Sequence, residues 1–381
     1  IREEVGTNST KFYYENGSHA AGNSFTGNSG SAKLITQGIR QFNAPFFGGK
    51  DGLDIRQVDP FSIATGLAST QNEDKHYAYN SVKRAIDVVS DTDLLNFDLV
   101  AIPGLINESL NQDLIRMAEE RSDTLAIIDI DGDYRKAYEA SGVEALGTST
   151  AAIDKAESLD YDTSYAATYY PPVRLRDTAG GAGDVTVVPP SVAAIGAIGK
   201  SEALSQGPWF APAGFNRGGL GNLGGRSGPR VIQARQRLDS SERDKLYEVN
   251  INPIATFPNE GVVIFGQKTL QQTPSALDRI NVRRLMIFLK AEIGKVARNI
   301  LFDNNVRSTW SRFTAQAEPI LANVKSKFGL TEYRLILDSS TTTADLIDRN
   351  IMYAKVFLKP ARAIEYIAID FVITKTGADF A

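Results

Sequence analysis

Cysteine is absent from the 381 residues, and histidine occurs only twice, at His19 and His76. The first absence removes disulfides, thiolate metal sites, iron–sulfur clusters and cysteine nucleophiles together. The second confines any Ser-His-Asp triad or two-histidine metal site to the first fifth of the chain. A surplus of positive charge is missing too. Lys+Arg number 41 against 45 Asp+Glu, a formal net charge of −4, so no broad basic surface is on offer to nucleic acid. No run approaches the ~18 consecutive apolar residues that cross a bilayer, and the residues from Ile1 onward carry no secretion-signal pattern. Neither nucleic acid nor a membrane is expected as a partner.

What is present is a charged fraction of 23% and a hydrophobic fraction of 42%, the balance of an ordinary folded chain. Residues 1–31 hold 17 Gly, Ser, Thr or Asn around Phe12-Tyr13-Tyr14 and Phe25, a texture of irregular loop or short edge strands. From about residue 80, strands and helices alternate. Phe97–Gly104 predicts a buried strand ended by a Pro-Gly turn, and Leu110, Leu114, Ile115 and Met117 predict a helix over 108–121. Thr124–Ile130 then predicts a second strand, completing a βαβ unit with a parallel pair. A helix is expected near 149–158, strands at Tyr165–Tyr170 and Val185–Val188, and a small-residue helix over 191–203. Residues 207–228 carry eight glycines and read as a long loop.

The last third is the most regular. Asp239-Ser240-Ser241-Glu242 spells a capping box. Val282, Leu285, Met286, Leu289, Ile293, Val296 and Ile300 form one apolar stripe, predicting a helix over 277–301 with Arg283, Arg284, Lys290 and Arg298 mainly off it. A second helix is expected over 305–327, then strands at Tyr333–Leu337, Ile351–Leu358 and Ile364–Thr374. The fold class is α/β, with α+β character towards the C-terminus: a mixed β-sheet core packed with helices.

Motifs that promise chemistry are incomplete. Asp129-Ile130-Asp131-Gly132 leaves a strand as the nucleophile and general acid of haloacid-dehalogenase-type, Mg²⁺-dependent phosphatases do. Asp133 follows, where an extra anion repels phosphate, and the later acid pair is missing. The plainer reading has these acids solvating a strand end and capping the next helix. An EF-hand fails because Gly132 comes too early and Ala140 holds the place of the bidentate Glu. Gly199-Lys200-Ser201 lacks the first P-loop glycine, since Ala194 stands there. Gly219–Gly224 spells a dinucleotide fingerprint without the strand and helix that must flank it. Arg279, Arg283 and Arg284 suit either a solvated helix face or ion pairs between subunits. No cofactor and no catalytic residue are expected, and an enzyme is not.

Glu365-Tyr366-Ile367-Ala368-Ile369-Asp370-Phe371-Val372-Ile373-Thr374 alternates with period two, placing Ile367, Ile369, Phe371 and Ile373 on one face. Such a strand near the chain end offers open backbone donors and acceptors, which suits it to pairing with another chain. Several ordered segments then point one way. They are Ser164–Pro172, Val188–Ser191 leading to Gly207-Pro208-Trp209-Phe210-Ala211-Pro212, Gly261–Leu270, Ile280-Asn281-Val282-Arg283-Arg284-Leu285, Leu301–Asn305 with Trp310, Asp338–Thr342, and Lys359–Tyr366. In this order and spacing, residues 95–381 resemble the tail sheath proteins of contractile-tailed bacteriophages. Pro208, Ala194 and Lys200 depart from the family's usual residues.

The resemblance implies a structural subunit that polymerises as stacked hexameric rings around a tail tube and contracts to drive the tube through the host envelope during genome ejection. Its partners would be copies of itself, the tail tube protein, and baseplate and tail terminator proteins. Its place would be the virion, after assembly in the host cytoplasm. A type VI secretion sheath or an R-type pyocin sheath would share the same lattice physics. The resemblance also implies segments beyond both ends of this chain. Three parts are expected: 1–82 as part of a variable, loop- and β-rich outer domain, 83–240 as an α/β sheath domain, and 241–381 as the inner domain. The strand of Glu365, Tyr366, Ile367, Ile369, Phe371 and Ile373 would join subunits, with Arg279, Arg283 and Arg284 as interface charges.

Overall fold

A computed structural model describes residues 2–3, 12–13, 67, 77–135, 143–176, 185–205, 207–221 and 231–365. The chain divides into two compact units, Ile1–Pro60 and Phe61–Ala381. In the first, β1 (Arg2–Glu3) pairs antiparallel with β2 (Phe12–Tyr13).

The described elements of the second begin with α1 (Tyr77–Val89), β3 (Leu99–Ala101), α2 (Glu108–Arg121) and β4 (Leu125–Ile128), which is the predicted βαβ unit. The ribbon β5 (Tyr134–Arg135) and β6 (Ala145–Leu146) precedes α3 (Ser149–Leu159), β7 (Ala166–Tyr170), β8 (Val173–Arg176), β9 (Val185–Val188) and α4 (Pro190–Ser205). Next come the single turn α5 (Gly214–Arg217), β10 (Val231–Ala234), α6 (Ser240–Glu248) and the hairpin of β11 (Ile251–Phe257) and β12 (Gly261–Ile264). The described part closes with α7 (Ile280–Arg298), α8 (Arg307–Ser326), β13 (Leu330–Ile336), α9 (Ala344–Asp348) and β14 (Lys355–Pro360).

The central sheet runs β12-β11-β7-β4-β3, parallel from β3 to β11 and antiparallel only at β12. Strands from both sides of residue 240 share it. β4 shows why this sheet is covered on both faces. All four of its residues are buried, and their side chains alternate. Leu125 and Ile127 join a core with Ala193, Ala194, Ala197 and Ile198 of α4, while Ala126 and Ile128 join one with Leu110, Leu114 and Met117 of α2. The alanines of α4 let that helix approach the strands closely, which is how a helix without a strong apolar stripe can pack here. A smaller sheet, β10-β8-β9, is antiparallel throughout.

Local signals place the helices. Asn107 caps α2 by accepting from Leu110 N–H at 3.1 Å. The capping box of α6 forms as spelled, with Glu242 N–H donating to Asp239 and Asp239 N–H donating to Glu242. At the last residue of α2, the buried Arg121 donates to Val89 O (2.8 Å), Asp91 O (3.0 Å) and Leu95 O (2.9 Å), and to both carboxylate oxygens of Asp123. Its guanidinium also lies 4.3 Å from the Phe97 ring centre. One side chain thus folds the whole 89–97 connection onto the helix end. Arg121→Ala should lower stability by about 3 kcal/mol, because three carbonyls lose a charged donor at once. Urea denaturation read by far-UV circular dichroism measures this, and Arg121→Lys should restore only a minor part.

In the C-terminal third, α7 and α8 pack on each other and β13 packs on α8. Trp209, Leu285, Leu289, Leu321, Val324 and Leu330 form their common core. Trp209 Nε1 donates to Lys327 O at 3.0 Å, which pins the glycine-rich segment to this layer. Gly329 is required beneath it, since a Cβ there would lie 2.6 Å from Val324 Cγ1 and 2.9 Å from Trp209 Cγ. The predicted 277–301 helix divides into a 3₁₀ turn at Ala276–Asp278 and α7, with Arg279 as the N-cap residue. The strand predicted at Ile351–Leu358 begins later, at Lys355.

Candidate functional site

Asp129 and Asp131 follow β4, as the phosphatase pattern requires, yet they do not form a site together. The Asp129 carboxylate turns inward and is 3% exposed. Its Oδ1 accepts from Ser191 N–H at 3.1 Å, and its Oδ2 accepts from Ser191 Oγ at 2.6 Å and Gly104 N–H at 2.8 Å. Ser191 stands just after Pro190, the first residue of α4. Burial pushes the Asp129 pKa up, and these hydrogen bonds pull it part of the way back. The expected strand-end solvation is therefore corrected: the acid is buried, and it caps α4 rather than the next helix in sequence. Asp131 is bound by Arg135, with both contacts at 2.8 Å. A nucleophile must reach phosphorus in line; Asp129 is spent on structure.

The other motif residues are equally occupied. Gly199-Lys200-Ser201 lies inside α4, where Lys200 Nζ donates to Gly219 O at 3.0 Å. Gly219 and Leu220 run along the outer edge of β12, with Leu220 N–H donating to Val262 O at 2.8 Å and Ile264 N–H to Gly218 O at 2.9 Å. Residues 222–224 of the glycine fingerprint lie outside the described residues. Among the described residues no group of three or more His, Cys, Asp or Glu could hold a metal ion, and no helix is long and apolar enough to cross a membrane.

The three arginines separate. Arg284, 3% exposed, donates to Asp98 at 3.0 Å and Glu202 at 2.7 Å. Arg283 donates to Ser164 Oγ and lies 3.9 Å from the Tyr165 ring centre. Burial lowers its pKa, with Tyr165 opposing the shift. Neither stands on a solvated face, because the first half of α7 is buried around most of its circumference. Both tie α7 to its own protomer. Arg279 is different: it grips Glu365, Nε to Oε1 at 2.6 Å and Nη2 to Oε2 at 3.0 Å. Of the residues expected in the terminal strand, Glu365 is described and belongs to no strand, and Tyr366, Ile367, Ile369, Phe371 and Ile373 lie outside the described residues.

β13 and β14 supply a feature that the sequence does not announce. They pair only with each other among the described strands, in register from Leu330↔Pro360 to Ile336↔Lys355. Tyr333, Leu335, Val356 and Leu358 face the α7–α8 core, while Phe357 is 55% exposed on the opposite face. Among the described residues, two strands alone leave an unpaired backbone edge on each side, a template for further strands. The pairing spans 18 intervening residues that include α9, so local periodicity does not reveal it.

Comparison with known proteins agrees with this geometry. Residues 272–374 match the phage tail sheath C-terminal domain family. The chain is 38% identical over 193 residues to the tail sheath protein of Enterobacteria phage T4, covering 51% of this chain and 28% of that protein. It is 38% identical over 186 residues to the tail sheath protein of Vibrio phage KVP40, covering 49% and 26%, and 34% identical over 175 residues to that of Salmonella phage ViI, covering 46% and 26%. The matched part thus spans about a quarter of these relatives' length. In structure, the chain is similar to one in the cryo-EM structure of the anti-feeding prophage baseplate (TM-score 0.58, 19% identity, 77% of this chain and 73% of that one). It is also similar to one in the PVC sheath complex of an extracellular contractile injection system in the contracted state (TM-score 0.57, 22% identity, 75% and 74%). Over about half of its length the chain is similar to tail sheath proteins of phages, and its fold is similar to that of chains in these assemblies.

Proposed function

We propose that this chain is the folded body of a contractile tail sheath subunit. It polymerises with copies of itself as stacked hexameric rings around a tail tube, between baseplate and terminator proteins, and works in the virion without a catalytic step. The observation that carries the reading is the coincidence of three features in 272–374: the sheath-domain match, the alternating terminal segment, and a two-stranded sheet that no other described strand joins. The β13–β14 edges would accept the terminal strand of a neighbour, and the segment from Glu365 to Thr374 would donate one.

Strand exchange suits a machine that changes shape without coming apart. Backbone pairing keeps neighbours joined, while rigid-body contacts switch between an extended and a contracted arrangement. Energy would be stored in assembly rather than drawn from nucleotide hydrolysis. A difference of a few kcal/mol per subunit, summed over a polymer, suffices to make contraction effectively irreversible. Negative-stain electron microscopy of the overexpressed full-length protein tests the proposal. Tubular polymers with stacked rings are the expected result, and a protein that stays monomeric at high concentration overturns it.

A further inference from the structure

Glu365 stands where the described chain gives way to the alternating terminal segment, and side chains from three separate stretches converge on its carboxylate. Arg279, the N-cap residue of α7, grips it with a fork of two N–H donors at 2.6 and 3.0 Å. Gln267 Nε2 donates at 3.2 Å. The Tyr247 hydroxyl, near the end of α6, lies close to it, and burial together with this carboxylate pushes its pKa up. The donors are themselves braced. Gln267 O accepts from Ile280 N–H at 2.8 Å, the backbones of Lys268 and Arg279 form an isolated antiparallel β-bridge, and Asp278 pairs with Arg279 at 3.1 Å. On the near side, Ala361 N–H donates to Gly329 O at 3.1 Å, and Arg362, Ala363 and Ile364 then run exposed up to the grip.

We infer that the Arg279–Glu365 clasp is an anchor inside each protomer: it pins the root of the terminal segment to the start of α7 and fixes the direction in which that segment leaves for a neighbouring copy. The inference rests on the sheath reading for the neighbour, but the clasp itself rests on these contacts. A forked guanidinium–carboxylate pair sets direction as well as position, because rotating the carboxylate breaks one of its two bonds. A root held in this way raises the effective concentration of the segment at its acceptor, which a freely swinging arm of the same length would lower. It also confines any bend to residues beyond Glu365 when neighbours move relative to one another. Arg279 and Glu365 therefore act as positioning residues within the protomer.

Limited trypsin digestion and electron microscopy of the full-length protein test this together. Arg362 lies before the clasp and Lys375 beyond it. In the wild type, cleavage at Lys375 should precede cleavage at Arg362. Glu365→Gln and Arg279→Gln should each speed Arg362 cleavage about fivefold and shorten the polymers, with the melting temperature unchanged. The double variant should be no worse than either single one, the signature of two residues acting through one contact. Wild-type cleavage rates and polymer lengths in the single variants, or additive effects in the double, overturn the inference. Absence of polymers from the wild type would overturn the sheath reading and the exchange role with it, whereas an Arg362 response in that case would still establish the clasp.

Discussion

Asp129→Ala should cost the protein about 4 kcal/mol of stability, more than the truncation of Arg121. The substitution removes the acceptor of three donors, Gly104 N–H, Ser191 N–H and Ser191 Oγ–H. Each is left facing a cavity closed to water, so the loss includes their desolvation as well as the bonds themselves. It also removes the negative charge at the start of α4, a helix whose alanines cover one face of the central sheet. Asp129→Asn separates the parts of this cost. It keeps the shape and one acceptor oxygen, so most of the packing survives, and Ser191 Oγ can turn to accept from the new amide.

The pH dependence has a definite sign. Burial raises the folded pKa of Asp129 above 3.8, so between 3.8 and the folded value the native state holds a proton that the unfolded state has lost. The associated stability is complete below 3.8 and is lost as pH rises through the folded value. Asn cannot ionise. Wild type should therefore lose stability relative to Asp129→Asn as pH rises from about 4 through that window, measured by urea titration at each pH. A wild type that instead gains stability over the Asn variant across the same range contradicts the assigned burial.

Much of the fold is legible in the sequence where the signal is local. The α2 stripe, the Asp239–Glu242 capping box and the Pro-Gly turn after β3 each involve residues within one or two turns of each other, and each forms as read. The parts that are not legible depend on partners far along the chain. Asp129 reads as a surface acid from its neighbours, because the donors that bury it lie 25 and 62 positions away. Arg283 and Arg284 read as solvated or as charges for a neighbouring subunit because an apolar stripe implies an opposite polar face. The first half of α7 has partners on nearly every side, so Arg283 and Arg284 are buried there, and Arg284 finds counter-charges in Asp98 and Glu202, whereas Lys290 and Arg298 stay exposed off the stripe. The open edges of β13 and β14 are invisible for a related reason, since an edge is defined by which strands fail to arrive. Glu365 reads as a strand residue, yet it lies in no described strand, and its grip by Arg279 crosses 86 positions.

Ile369→Asp or Phe371→Asp in the full-length protein should abolish polymerisation while leaving a soluble, folded protomer. By their period-two spacing both residues would share a face with Ile367 and Ile373, which the proposed exchange would bury against a neighbour's β13–β14 sheet and the α7–α8 core beneath it. A carboxylate on that face must be desolvated without a partner, at a cost of several kcal/mol at every subunit contact. Because each subunit would give one strand and take one, the penalty enters once per copy throughout the lattice, and no growing end escapes it. The opposite face provides the control. Asp370 already carries a charge there, so Ala368→Asp should leave polymers intact, although it adds the same group to the same segment. Pelleting of polymers by ultracentrifugation, with microscopy of the pellet, reads all three variants. Equal loss from Ala368→Asp would mean that charge, rather than the buried face, governs assembly. Normal polymers from Ile369→Asp would remove the terminal strand from the interface altogether, leaving the open edges of β13 and β14 to be filled by some other segment.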